Sequence, residues 1–244
     1  MRLDDEGFVR GQYASTDRLR TRIAVWQPDA DGRRPQDLAL EELKQRRAKR
    51  VLEVGCGTGD LAVRIAAEAG CELIAIDQSP EMVATARAKG VDAREGNVQQ
   101  LPFDDASFDC AVAAWMLYHV ADLDRGLAEL ARVLAPGGLL VAITNGDEHL
   151  AELYQAVAAD KPRSSFSREN GEAILCRHFV HISRVDMVAR AVFPDRAAVV
   201  AYLETLERGE LAERLGELDG PLVAGGAPTV FLAETPGSAS TVPA

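Results

Sequence analysis

A doubly wound α/β fold, a parallel sheet with helices on both faces, is predicted by three features of the sequence. From residue 50 to 145, short apolar runs alternate with amphipathic helical patterns. The first run ends in an acid and a loop with glycine at 55, 57 and 59. No apolar run approaches the roughly 18 residues of a membrane span. Short buried strands separated by helices imply right-handed crossovers, and ligands then lie at the carboxyl ends of the strands.

The elements follow in order. Residues 8–26 and 36–49 read as helices, parted by the breaker-rich Gln27-Pro-Asp-Ala-Asp-Gly-Arg-Arg-Pro35. A strand at 50–54 leads into a helix at 59–69, and a strand at 72–77 into a helix opened by Ser79-Pro80 and closed by Gly90. Strands are expected at 91–95, 108–115 and 139–144, with a helix at 122–134 stopped by Pro136-Gly-Gly138. Beyond 145 the pattern loosens into helices at 147–159 and 195–208 and strands at 180–188 and 229–234. One domain over 1–234 is expected: a helical cap at 1–49, a cofactor core at 50–145 and a substrate-side half at 146–234. Thr235 onward, rich in Thr, Pro, Gly, Ser and Ala, reads as a disordered tail.

The net charge of −11 argues against a phosphate backbone as partner. The basic cluster Lys44-Gln-Arg-Arg-Ala-Lys-Arg50 reads as a solvated helix end. Cys56, Cys71, Cys110 and Cys176 form no CxxC pair and no zinc-ligand spacing, so neither a metal site nor a disulfide framework is expected. The acidic N-terminus lacks a secretory apolar core, which makes the cytoplasm the default location.

Gly55-x-Gly57-x-Gly59 lacks the spacing of the dinucleotide fingerprint, and Asp60 at the helix start would repel a pyrophosphate. A nucleoside without phosphates suits the loop better. Asp77, ending the strand beside the first, can accept from two neighbouring ribose hydroxyls, or be a turn aspartate. Asn97 after the third strand can pair with adenine, or be a plain turn residue. Cys56 reads as a small residue chosen for fit.

Together these stretches resemble the class I methyltransferases that use S-adenosylmethionine, specifically small-molecule enzymes of the ubiquinone/menaquinone-biosynthesis type. The residues that carry the likeness are Glu53-Val-Gly-Cys-Gly-Thr-Gly59, Ala75-Ile-Asp-Gln-Ser-Pro-Glu-Met82, Gly96-Asn-Val-Gln-Gln-Leu-Pro-Phe103, Phe108-Asp109 and Val133-Leu-Ala-Pro-Gly-Gly138. The resemblance implies a seven-stranded, mostly parallel sheet with one antiparallel edge strand and an N-terminal helical cap. It places Gly55, Cys56 and Gly57 against the cofactor, Asp77 on the ribose, Gln78 and Met82 beside the adenine, and Asn97 with Val98 at its edge. Ala114 would lie near the methionine portion, Glu53 would orient the loop or the ammonium, and Tyr13 would close over the site. Asn97 departs from the aspartate many relatives carry.

Methyl transfer from a sulfonium needs chiefly alignment of the nucleophile for in-line displacement. His119, just past the fourth strand, is the candidate general base, with a structural histidine as the alternative. No role is assigned to His149, His178 or His181. The acceptor pocket is expected between the N-terminal helices and residues 145–180, and Phe166-Ser-Arg-Glu-Asn-Gly171 is similar to a stretch in bacterial relatives. The partners expected are a small-molecule acceptor, no nucleic acid and no membrane, with a homodimer left open. Competing readings are an RNA methyltransferase, which would want a basic face, a non-catalytic cofactor-binding subunit, and, more remotely, a nicotinamide dehydrogenase.

Overall fold

The computed structural model describes residues 16–237. Helix α1 (Thr16–Ala24) and strand β1 (Trp26–Gln27) lead to α2 (Pro35–Arg46), β2 (Arg50–Val54), α3 (Asp60–Ala69), β3 (Glu72–Asp77), α4 (Pro80–Ala88) and β4 (Ala93–Glu95). There follow β5 (Phe108–Ala114), α5 (Leu123–Val133), β6 (Leu134–Asn145), α6 (Ala151–Ala156), α7 (Gly171–Leu175), β7 (Val180–Asp186) and β8 (Ala189–Phe193). The chain closes with α8 (Arg196–Thr205), β9 (Leu222–Gly226) and β10 (Pro228–Glu234).

The main sheet has seven strands in the order β4-β3-β2-β5-β6-β10-β7. Strands β4, β3, β2, β5 and β6 run parallel, while β10 is antiparallel to both β6 and β7. The one reversed strand therefore lies a place in from the edge, not at it. The chain passes from β9 through Ala227 into β10, which inserts between β6 and β7, two strands that precede it in the chain.

Each face of the parallel strands carries its own core. Leu52, Val54, Ile74, Ile76 and Ala111 point to one side, where α5 supplies Leu127, Leu130 and Val133. Val51, Leu73, Ala75, Cys110 and Val141 point to the other, against Ala39, Leu40 and Leu43 of α2 and Ile65 of α3. This is the period-two alternation of strands buried on both faces. Of the two N-terminal helices, then, α2 is a layer of the core. Helix α1 does the capping: Leu19 lies against Gly57, and the Thr16 N–H donates to Glu81 Oε1 at 3.1 Å.

A second, three-stranded sheet (β1-β8-β9, antiparallel) rests on α6 and α8 with a core of its own, including Leu153, Val157, Phe193, Val199 and Leu203. The sequence reading had no strands here. Arg18 of α1 pairs with Glu207 after α8 at 3.2 Å, joining the cap over the glycine loop to this sheet. The expected tail start at Thr235 is corrected. Thr235 is buried, its N–H donating to Gly138 O at 2.9 Å and its hydroxyl to Ala135 O at 2.6 Å.

Candidate functional site

A cleft of about 970 Å³ runs along the carboxyl ends of the parallel strands, roofed by α1 and the small sheet. Strand order fixes what each part of it meets: Asn97 after β4, Asp77 ending β3, Gly55 after β2, Trp115 after β5, Asn145 ending β6.

The glycine loop is held by its neighbours. The N–H groups of Gly55 and Cys56 donate to Ile76 O at 2.8 and 3.1 Å. Gly55 and Gly59 have φ of +68° and +77°, which a side chain rarely tolerates. A Cβ on Gly55 would lie 2.7 Å from Met116 Cβ, and one on Gly59 2.7 Å from Ala86 Cβ of α4. Close packing within the protein is therefore enough to require both glycines. Gly59→Ala should cost about 1–3 kcal/mol in urea unfolding, from strain and overpacking together. A loss below a few tenths of that would show that α4 yields freely.

Asp77 turns into the cleft. Its Oδ2 accepts from the Gly57 N–H at 2.9 Å and its Oδ1 from the Ser79 N–H at 2.8 Å. The Gln78 backbone bonds to the carboxylate as well, and of its roughly four lone-pair sites at least one stays open to a further donor. Burial raises the carboxyl's pKa, opposed by these backbone hydrogen bonds. Glu53 is more unusual. It occupies a core position of β2 and is 2% exposed. Burial, then the charges of Asp77 and Asp60, push its pKa up to about 8. Its Oε2 is buried and has no hydrogen-bond partner among the described residues. Asp60 is tied to Lys89 Nζ at 2.5 Å and to the Thr58 hydroxyl at 2.7 Å. Burial works to raise its pKa, but these two bonds hold it low. Three carboxyl groups at one end of the cleft, one with an orphan oxygen, favour a cationic, hydroxyl-bearing ligand.

Of the other sequence candidates, Cys56, Gln78, Asn97, Val98, Ala114 and His119 line the cleft. The Cys56 thiol is buried, which pushes its pKa far up and makes it a poor nucleophile. Asn97 Oδ1 accepts from the Gln99 N–H at 2.8 Å and from Gln99 Nε2 at 3.2 Å, so both lone pairs are used. What Asn97 can offer a ligand is its amide donors, not the acceptor expected. Met82 is a correction: it is fully buried in the first turn of α4 and is not on the cleft wall, where Ile76 stands instead. Tyr13 lies outside the described residues.

Several lining groups had no signal in the sequence: Trp26 from β1, His149 before α6, Lys161 and Tyr202. Trp115 has φ +53°, a strained value for an aromatic residue, and its Nε1 donates to Asn145 Oδ1 at 3.2 Å.

Residues 52–142 match the family described as a methyltransferase domain. Over that stretch the chain is similar to a methyltransferase domain. The domain's cofactor is S-adenosylmethionine, and the matched stretch holds Glu53, the glycine loop, Asp77, Asn97 and Ala114. A demethylmenaquinone methyltransferase of Thermus thermophilus is 42% identical over 118 residues, covering 46% of this chain and 52% of that protein. A ubiquinone/menaquinone biosynthesis C-methyltransferase of Geobacter sp. is 36% identical over 121 residues, with the same two coverages. The chain spans about half the length of these curated relatives. The YcgJ protein of Bacillus subtilis superposes with a TM-score of 0.61 at 20% identity, over 83% of this chain and 98% of that one, which shows the methyltransferase domain's fold. None of the described helices is long and apolar enough to cross a membrane, and no cluster of metal-ligating side chains occurs among the described residues.

Proposed function

We propose that the protein transfers a methyl group from S-adenosylmethionine to a small-molecule acceptor by in-line displacement. The observation that carries this reading is the orphan Oε2 of Glu53 beside Asp77 in the acid end of the cleft. A ligand with an ammonium and a ribose satisfies both, and a pyrophosphate satisfies neither. When bound, the cofactor supplies an electrophilic methyl on a sulfonium. Asp77 holds the ribose hydroxyls, Glu53 the ammonium, and the donors of Asn97 the adenine edge. Met116, packed on Gly55, and Trp115 wall the passage between cofactor and acceptor. His119, which lines the same passage with its ring 4.4 Å from that of Tyr118, is the group to take a proton from an acceptor hydroxyl. The net charge of −11 favours a metabolite over RNA.

The test is incubation with methyl-labelled S-adenosylmethionine and a metabolite extract, read by mass spectrometry. Label in a small molecule, absent with Asp77→Asn, is the expected result. Label found only in RNA, or no S-adenosylhomocysteine binding by calorimetry, overturns the reading.

A further inference from the structure

The far end of the cleft, past Trp115, is built with the opposite polarity to the cofactor end. Lys161 lies in its wall, and its Nζ donates to Gly146 O and Asp147 O, each at 2.9 Å. An ammonium has three donors, so these two bonds leave one. Burial disfavours its charged form, partly offset by the charges of Asp147 and Glu169, neither of which forms an ion pair with it among the described residues. Its hydrogen bonds go to two neutral carbonyls and the two carboxylates act only at a distance, so the cation is compensated in part and its net shift is downward.

His149 stands in the same wall. The Ala227 N–H donates to its Nδ1 at 3.3 Å, which fixes the neutral ring with its hydrogen on Nε2. Burial and the nearby Lys161 lower its pKa to about 3, so the ring is a hydrogen-bond donor and not a base across the physiological range. Trp26 stacks on it, with centroids 4.8 Å apart and planes at 22°. The slot for that indole is cut by a glycine: a Cβ on Gly226 would lie 2.5 Å from Trp26 Cζ3. Leu150, Tyr154 and Tyr202 complete an otherwise apolar lining.

We propose that this end is an acceptor subsite for a flat apolar molecule bearing a carboxylate-type oxyanion, held by the spare donor of Lys161 and by His149 Nε2–H. The proposal rests on reading the other end as the cofactor's. The two ends then sort their ligands by charge: cation against Glu53 and Asp77, anion against Lys161. His149 is a positioning residue in this scheme, and proton removal stays with His119.

Benzoate and its neutral isostere benzamide serve as probes, with S-adenosylhomocysteine saturating. Both tryptophans of the chain line the cleft, so quenching of their fluorescence reports binding. Wild type should bind benzoate about tenfold or more tighter than benzamide, the advantage of a charge-assisted hydrogen bond over a neutral one. Lys161→Met should erase that preference and Lys161→Arg restore it, while His149→Phe should weaken benzoate several-fold. All three variants should bind S-adenosylhomocysteine as wild type does. Equal binding of the two probes by wild type, binding of neither at tens of millimolar, or a preference that survives Lys161→Met would overturn the proposal. Should S-adenosylhomocysteine fail to bind while the benzoate preference holds, the cofactor assignment falls and the subsite stands.

Discussion

Asp77→Asn should lower the affinity for S-adenosylhomocysteine about a hundredfold. The carboxylate already accepts from the backbone of Gly57, Gln78 and Ser79, and its remaining acceptor capacity faces the ribose hydroxyls. Charge-assisted hydrogen bonds contribute about 1.5–3 kcal/mol each, so losing two is about 3 kcal/mol or more, two powers of ten. An asparagine has only one acceptor oxygen. Its amide nitrogen must face either a backbone N–H or a hydroxyl, so stability also falls by about 1–2 kcal/mol. Calorimetry checks the affinity and urea unfolding the stability. A change in affinity below about threefold would mean that the carboxylate serves the loop alone.

Glu53→Gln has effects of opposite sign on stability and on cofactor affinity. The native carboxyl, at about 8, binds its proton more tightly than the unfolded one, near 4.5. The folded protein therefore holds more protons between those values, and wild-type stability falls as pH rises through that window. The full penalty, on the order of several kcal/mol, is present above pH 8. Glutamine never ionises. The variant should match wild type near pH 5 and melt several degrees higher near pH 8.5. Cofactor affinity moves the other way, because a cationic ligand selects the carboxylate. Wild type should release a proton on binding S-adenosylmethionine at pH 7 and bind more tightly as pH rises from 6 to 8. The variant should release none and bind about tenfold or more weakly at pH 8. Paired melts and calorimetry in two buffers of different ionisation enthalpy read both effects. A variant less stable than wild type at pH 8.5 would show that Glu53 is charged and compensated in the free protein.

The cofactor half was legible because its signals are local. A glycine loop after Val54, an acid ending β3 and a Ser79-Pro80 helix start each constrain the backbone within a few residues. The acceptor half depends on contacts distant in sequence. Strand β1 is two residues long and exists only because Trp26 and Gln27 pair with Ala191 and Arg190. Leu222-Val-Ala-Gly-Gly226 is assigned no element from the sequence, yet it pairs with β8 as a strand and its Gly226 makes room for Trp26. His149 and Lys161 acquire meaning only when β10 brings Ala227 beside β6. Met82 was misplaced for a related reason: helical periodicity says that a residue faces inward, not whether the inside is cleft or core. Asn97 lines the cleft, but its oxygen accepts from Gln99, which a sequence alone does not reveal.

The three-stranded sheet draws two of its strands, β8 and β9, from one uninterrupted excursion that departs after β7 and rejoins the main sheet at β10. That passage supplies Tyr202 and the Gly226 slot, while Trp26, His149 and Lys161 come from earlier in the chain, so reworking the passage alone would reshape that end without removing its cation.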